Sequence, residues 1–317
     1  MKVLVAIDQK PSSQAIVDAL IKMHWFEGTE IHIMTVRGET AAAAPDAEAV
    51  ACEIEELAVA LHDALTYCQV SYLPVVGEPK EAIIETAAQI EADMIVLGSN
   101  CKNTLERLLI GSVSQAVLNS AHCPVIIAKT PCCLAREASP GFRNILIPID
   151  NSIFSDIAVR WLANLQWRAE CRFIVAAAVE ENTDMRQVEQ SIHQRGAYLA
   201  QILKTNNVVV EAVVGAPKQA ILDLAHKYYA DLIVMGSHGR TGLQKLILGN
   251  IAQGVSHDAP CAVAIVRGIA PDDHQWIDSG AFDKVEPVRI ESLMGGYSGG
   301  PGGGFDLGSP NVPPGGM

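Results

Sequence analysis

Aromatic side chains are scarce: four Trp, six Tyr and six Phe make up 5% of the 317 residues, although the apolar fraction reaches 49%. Any core must therefore be assembled from Ala, Val, Ile and Leu, which suits parallel sheets covered by helices on both faces and argues against a small β-sandwich. Basic side chains are also short, 23 against 36 acidic for a net charge of −13, and no Lys/Arg stripe breaks that balance. This disfavours nucleic acid and anionic membranes as partners. No uninterrupted apolar run approaches the ~20 residues that span a bilayer. The start "MKVLVAIDQKPSS" is interrupted too early for a signal-peptide core. A cytoplasmic protein is the expectation. Eight cysteines do not make a disulfide scaffold in so long a chain, and the adjacent Cys132 and Cys133 have no second close pair to complete a zinc set.

What the chain does have is repetition. "KVLVAID", ending at Asp8, returns as "NILIPID", ending at Asp150. "PVVGEPKEAIIETAAQIEADMIVLGS" at 74–99 returns as "AVVGAPKQAILDLAHKYYADLIVMGS" at 212–237, a constant offset of 138 residues. Within the first copy, short branched-apolar runs at 2–7, 30–36, 70–76, 93–97 and 124–128 alternate with helix-compatible stretches at 12–26, 45–66, 79–90 and 112–119. The second copy repeats this with strands near 144–149, 171–178, 208–214, 231–235 and 262–266. Alternation of this kind predicts an α/β fold with two doubly wound domains, each a five-stranded parallel sheet. The domains are expected at 1–129 and 143–267, joined by a linker at 130–142. After that comes an acidic, Gly/Pro-rich tail at 268–317, with seven acidic and two basic residues beyond Ile269, read as mostly disordered. Trp276, Ile277 and Phe282 are its candidates for docking on the second domain or a partner.

Doubly wound sheets bind ligands beyond the carboxyl ends of their strands. Asp8 and Asp150 close the first strand of each copy, and glycine-bearing loops leave the fourth: "GSNCKNTLERLLIGSVS" from Gly98 and "GSHGRTGLQKLILGN" from Gly236. Glycine lets backbone N–H groups approach anionic oxygens, and the helix N-terminus beyond adds free donors, so a nucleotide phosphate is chemically reasonable. Tight turns would explain the same glycines. Pro148, inside "ILIPID", points to a bulge or special geometry beside Asp150.

Repeat, strand-end Asp and loop together resemble the universal stress protein family in its tandem form, over about residues 1–129 and 143–267. The resemblance implies strand order 3-2-1-4-5, pairing of the two domains along their fifth strands, and a pseudo-dimer that forms homo-oligomers. It also implies ATP, with Mg²⁺, as cofactor. The family's ATP-binding members carry Gly, two residues, Gly, nine residues, then Gly followed by Ser or Thr. By that pattern the first site comprises Asp8, Val36, Gly98, Cys101, Gly111, Ser112, Val113 and Ser114, with Cys101 standing at the family's second glycine. The second comprises Asp150, Val179, Gly236, Gly239, Gly249, Asn250 and Ile251, with Asn250 replacing the hydroxyl residue and Ala252 standing where the first copy has Ser114. One copy thus keeps the hydroxyls and loses a glycine; the other keeps the glycines and loses the hydroxyls.

No side-chain constellation makes a triad around His238 or His257, so efficient catalysis is not expected; slow Mg-dependent ATP hydrolysis stays open. The expected function is a stress-response protein that binds an adenine nucleotide in at least one domain, with the nucleotide biasing dimer or partner contacts. A nucleotide-independent interaction module, with the tail recruiting another protein, is the alternative.

Overall fold

The computed structural model describes residues 1–7, 12–38, 47–99, 110–129, 141–181, 183–239, 248–267, 280–284 and 291–295. Asp8, Cys101, Cys132, Cys133, Trp276 and Ile277 lie outside the described residues.

The first repeat runs β1 (Lys2–Ala6), α1 (Ser12–Lys22), β2 (Glu30–Arg37), α2 (Ala47–Ala64), β3 (Gln69–Val76), α3 (Pro79–Gln89), β4 (Met94–Gly98), α4 (Ser112–Ser120) and β5 (Val125–Ala128). The second runs β6 (Asn144–Pro148), α5 (Ile153–Ala163), β7 (Arg172–Val179), α6 (Met185–Ile202), β8 (Val208–Val214), α7 (Pro217–Lys227), β9 (Leu232–Gly236), α8 (Asn250–Asp258) and β10 (Ala262–Val266). The starts of α3 and α7 follow from local chemistry. Gly77 and Gly215, at φ +155° and +152°, turn the chain through backbone that L side chains rarely adopt, and Pro79 and Pro217 then open each helix where an N–H would have no partner.

All strands among the described residues join one sheet of order β11-β8-β7-β6-β9-β10-β5-β4-β1-β2-β3. Each repeat therefore has the order 3-2-1-4-5, and the two meet where β5 and β10 pair antiparallel, Val125 to Ile127 against Ile265 to Val263. The second repeat differs from the five strands expected of it. Residues Glu291–Gly295, within the tail read as mostly disordered, form β11, a sixth strand parallel to β8. Composition did not reveal it because the tail's glycines lie around this short segment, and a strand of five residues needs only an open edge to pair with.

Ala, Val, Ile and Leu fill the core on both faces. Ile16, Leu61, Ile157 and Ile192 bring α1, α2, α5 and α6 onto one face, and Ile83, Val117, Leu224 and Val255 bring α3, α4, α7 and α8 onto the other. Four residues of β10, Val263 to Val266, and all of β5 are at most 2% exposed, so the junction between repeats is core rather than surface. Two buried cations cross it. Lys129, just after β5, donates from Nζ to the carbonyls of His257 and Ala259 at the end of α8, both at 2.9 Å. Arg267, the equivalent residue after β10, donates from its guanidinium to the Leu118 carbonyl near the end of α4. Each repeat thus caps the other's last helix at its negative end. Burial pulls the Arg267 pKa below its ordinary value, the cost of holding a cation there.

No helix among the described residues is long and apolar enough to cross a membrane.

Candidate functional site

The mouth of the second repeat is formed by the carboxyl ends of β6 and β9 and the N-terminus of α8. β6 keeps regular register with β7 as far as Pro148, with no bulge, but pairs with β9 only at Ile145 and Leu146. The equivalent pairing of β1 with β4 extends over Val3 to Ala6. Proline is the cause. Ile149 N–H donates back to β7, at Ala176 O, so the neighbouring even-numbered positions face β9, and Pro148 has no N–H to give there. The two strands part just before Asp150.

Asp150 is held by the start of α5. Its Oδ1 accepts the Ser152 N–H at 3.1 Å, and Ser152, the N-cap, accepts the Ser155 N–H on its own hydroxyl at 3.2 Å. Asn151 lies between them at φ +62°, in the left-handed region, and its Oδ1 accepts a hydrogen bond from the Ser191 hydroxyl on α6. Arg195 on the same helix donates to Ser191 Oγ at 3.0 Å and grips Asp156 through Nε and Nη2, each at 2.9 Å. Burial raises the Asp156 pKa, Arg195 opposes that shift, and the Asp150 charge adds to it. None of these supports was identified from the sequence, where the only legible signal was a Ser one residue before a helix.

The glycines of this mouth have separate tasks. A Cβ on Gly239 would stand 2.7 Å from Asp150 Oδ2, so its backbone passes directly against that carboxylate. A Cβ on Gly236 would lie 2.6 Å from the backbone carbonyl of Phe154, so that glycine admits the first turn of α5 rather than a ligand. Gly249 is the N-cap of α8; its N–H donates to Ser237 O at 2.9 Å, and a Cβ there would meet the same oxygen at 3.2 Å. A glycine N-cap has no side chain to satisfy the first-turn donors of α8, where Asn250 and Ile251 are exposed. His238 lies beside Gly239, its ring 5.0 Å from that of Phe154 and its Nδ1 3.0 Å from Ser237 Oγ.

In the first repeat, Gly111 is likewise an N-cap without a side-chain bond, with Ser112 exposed and Val113 half-buried in the first turn of α4. Ser114 is buried and donates its hydroxyl proton to the Gly98 carbonyl at 3.0 Å. It ties helix to strand, so the hydroxyl expected to serve a phosphate is already committed.

One expected pairing fails on register. Lys2 faces Glu30 in β1–β2 and Asn144 faces Arg172 in β6–β7, which makes Ala178, not Val179, the counterpart of Val36. Val36 and Ala178 pack on the α3/α7 face, whereas Val179 is buried on the other. Sequence identity at a neighbouring position hid a one-residue slip, which in a strand reverses the face.

Among the described residues no cluster of three or more His, Cys, Asp or Glu is placed to hold a metal ion.

Two such doubly wound repeats sharing one sheet, each with a glycine-led helix N-terminus at its mouth, define a tandem α/β protein. The family model for the universal stress protein family matches residues 1–129 and 141–267, and the chain belongs to that family. A universal stress protein of Mycobacterium tuberculosis is 29% identical over 189 residues, 56% of this chain and 62% of its own length. The chain thus spans less than two thirds of that curated relative. A universal stress protein of Methanocaldococcus jannaschii is 47% identical over 55 residues, 17% of this chain and 32% of its own. In fold, the crystal structure of a universal stress protein from Archaeoglobus fulgidus superposes with a TM-score of 0.66 at 22% identity, covering 84% of this chain and 98% of that one.

Proposed function

We propose that this stress-response protein binds ATP or a related adenine nucleotide in at least one repeat, and that the bound nucleotide biases contacts with a second copy or another protein. The observation that carries the reading is the approach of Gly239 to Asp150, 2.7 Å from where a Cβ would be, beside the uncapped start of α8. Space of that kind serves a ligand that needs backbone N–H groups at an anion and a carboxylate at a hydroxyl. Asp150 would hold a ribose hydroxyl, and the first-turn N–H groups of Ile251 and Ala252 would face phosphate oxygens, with the Asn250 amide as a further donor. ATP brings the phosphate charge and the adenine; Mg²⁺ would arrive with it, since a single carboxylate is a poor metal site.

Isothermal titration of the full chain, stripped of copurified ligand, with MgATP tests the proposal. Saturable binding that weakens about tenfold or more in Gly239→Ala, the equivalent of 1.4 kcal/mol, supports it; absence of binding at millimolar nucleotide overturns it. Slow hydrolysis would require turnover that is lost in Asp150→Asn while binding is retained. A second reading, a nucleotide-independent interaction module, is favoured by the crossed caps of Lys129 and Arg267, which hold the pseudo-dimer together through protein groups alone.

A further inference from the structure

Each repeat's own five strands end on an equivalent strand, β3 in the first and β8 in the second, and their backbones are in phase; β3 is a sheet edge, whereas β8 is covered by β11. In β3, Gln69 N–H donates to Thr29 O and Gly77 N–H to Arg37 O, both at 2.8 Å, so odd-numbered residues face β2 and Val70, Tyr72, Pro74 and Val76 face outward. In β8, Gly215 N–H donates to Val179 O at 2.9 Å, which turns Val210, Ala212 and Val214 outward. The 138-residue offset aligns Pro74 with Ala212. Pro74 has an outward position, so it takes nothing from the β2–β3 ladder, yet it leaves the free edge with a gap in its donors and a ring against any added strand. β8 has no such block, and β11 pairs there, with Ala212 opposite Met294.

We infer that the edge of β8 is a self-pairing surface, that β11 is its resident guard, and that the partner it fits when β11 leaves is β8 of a second copy. The strand VVVEAVV is β-branched at most positions and buried at all but its last residue. Without β11 it presents the N–H and C=O groups of Val210, Ala212 and Val214 in one row, which the same row of a second copy, antiparallel across a two-fold axis, satisfies. The one charge on the strand does not oppose this. Glu211 is neutralised within its own chain, by Lys227 Nζ at 2.7 Å and the Tyr228 hydroxyl. The two repeats thus close their edges by different means, proline in the first and a tail strand in the second.

The register tells inward from outward positions in β11 as well: with Glu211 opposite Leu293, the N–H of Leu293 faces β8 and that of Ser292 faces away. Sedimentation velocity over a concentration series, on the full chain and on its Leu293→Pro and Ser292→Pro variants, tests the inference. Leu293→Pro should shift with concentration to about twice the mass of the parent species, and Ser292→Pro should sediment as the parent does. A synthetic peptide of residues 285–298 in excess should return Leu293→Pro to the parent value, which separates edge pairing from misfolding. An unchanged sedimentation coefficient for Leu293→Pro, an equal shift for Ser292→Pro, or a shift that the peptide does not reverse overturns the inference.

Discussion

Gly236 and Gly239 are three residues apart in one loop motif, and the structure assigns them opposite consequences. Gly236→Ala sets a Cβ 2.6 Å from the backbone of α5, which must move. It should cost about 1–3 kcal/mol, read as a lower urea midpoint. Gly239→Ala meets only the end of a flexible carboxylate. Its stability should stay near the parent's while its nucleotide affinity falls. Cysteines give a second expectation at this scale. Burial pushes the thiols of Cys123 and Cys261 up to about 12 and that of Cys171 to about 11. At pH 8 all three hold almost no thiolate, so mass spectrometry after iodoacetamide treatment should find them unmodified in the folded chain and labelled in urea.

Helices α4 and α8 each start at a mouth and end on a cation from the other repeat. Their N-cap glycines leave donors free at one end, while Arg267 and Lys129 fill the carbonyl vacancies at the other. Lys129→Met keeps most of the apolar stem, removes the ammonium group and strands the His257 and Ala259 carbonyls. Its expected cost is about 1.5–3 kcal/mol, the range for a hydrogen bond to a charged group, measurable by urea denaturation. The elements themselves were legible from alternating apolar runs, and the strand order from the family resemblance. Hydrogen-bond parity was not legible. Pro148 suggested a bulge or special geometry beside Asp150, and the effect is of the second kind, a shortened ladder to β9, because Ile149 N–H points to β7. The same parity makes Pro74 harmless to its own ladder.

At the scale of the molecule, the proposed nucleotide binding predicts a linkage to folding. A ligand that binds only the folded chain at a hundred times its Kd stabilises it by about 2.7 kcal/mol. A thermal melt in MgATP should therefore shift upward, and the shift should shrink in Gly239→Ala in proportion to lost affinity. The pseudo-dimer makes both mouths parts of one sheet, with β5 and β10 paired at the centre, β3 at one rim and β8, covered by β11, next to the other. Edges are then the surfaces left for assembly, and only one of them carries a proline.

The sequence by itself determined the fold class, the duplication, the strand order through family resemblance, and the positions of the mouth glycines, because these depend on apolar periodicity and on glycine's missing Cβ. Tertiary structure decided what each glycine touches, which Ala or Val counterparts share a face, where Ser114 spends its proton, how Lys129 and Arg267 cross the junction, and that Glu291–Gly295 completes an edge. The physical reason is common to all of them: each rests on contact between residues distant in the chain, and hydrogen-bond direction and burial exist only once the strands have found their neighbours.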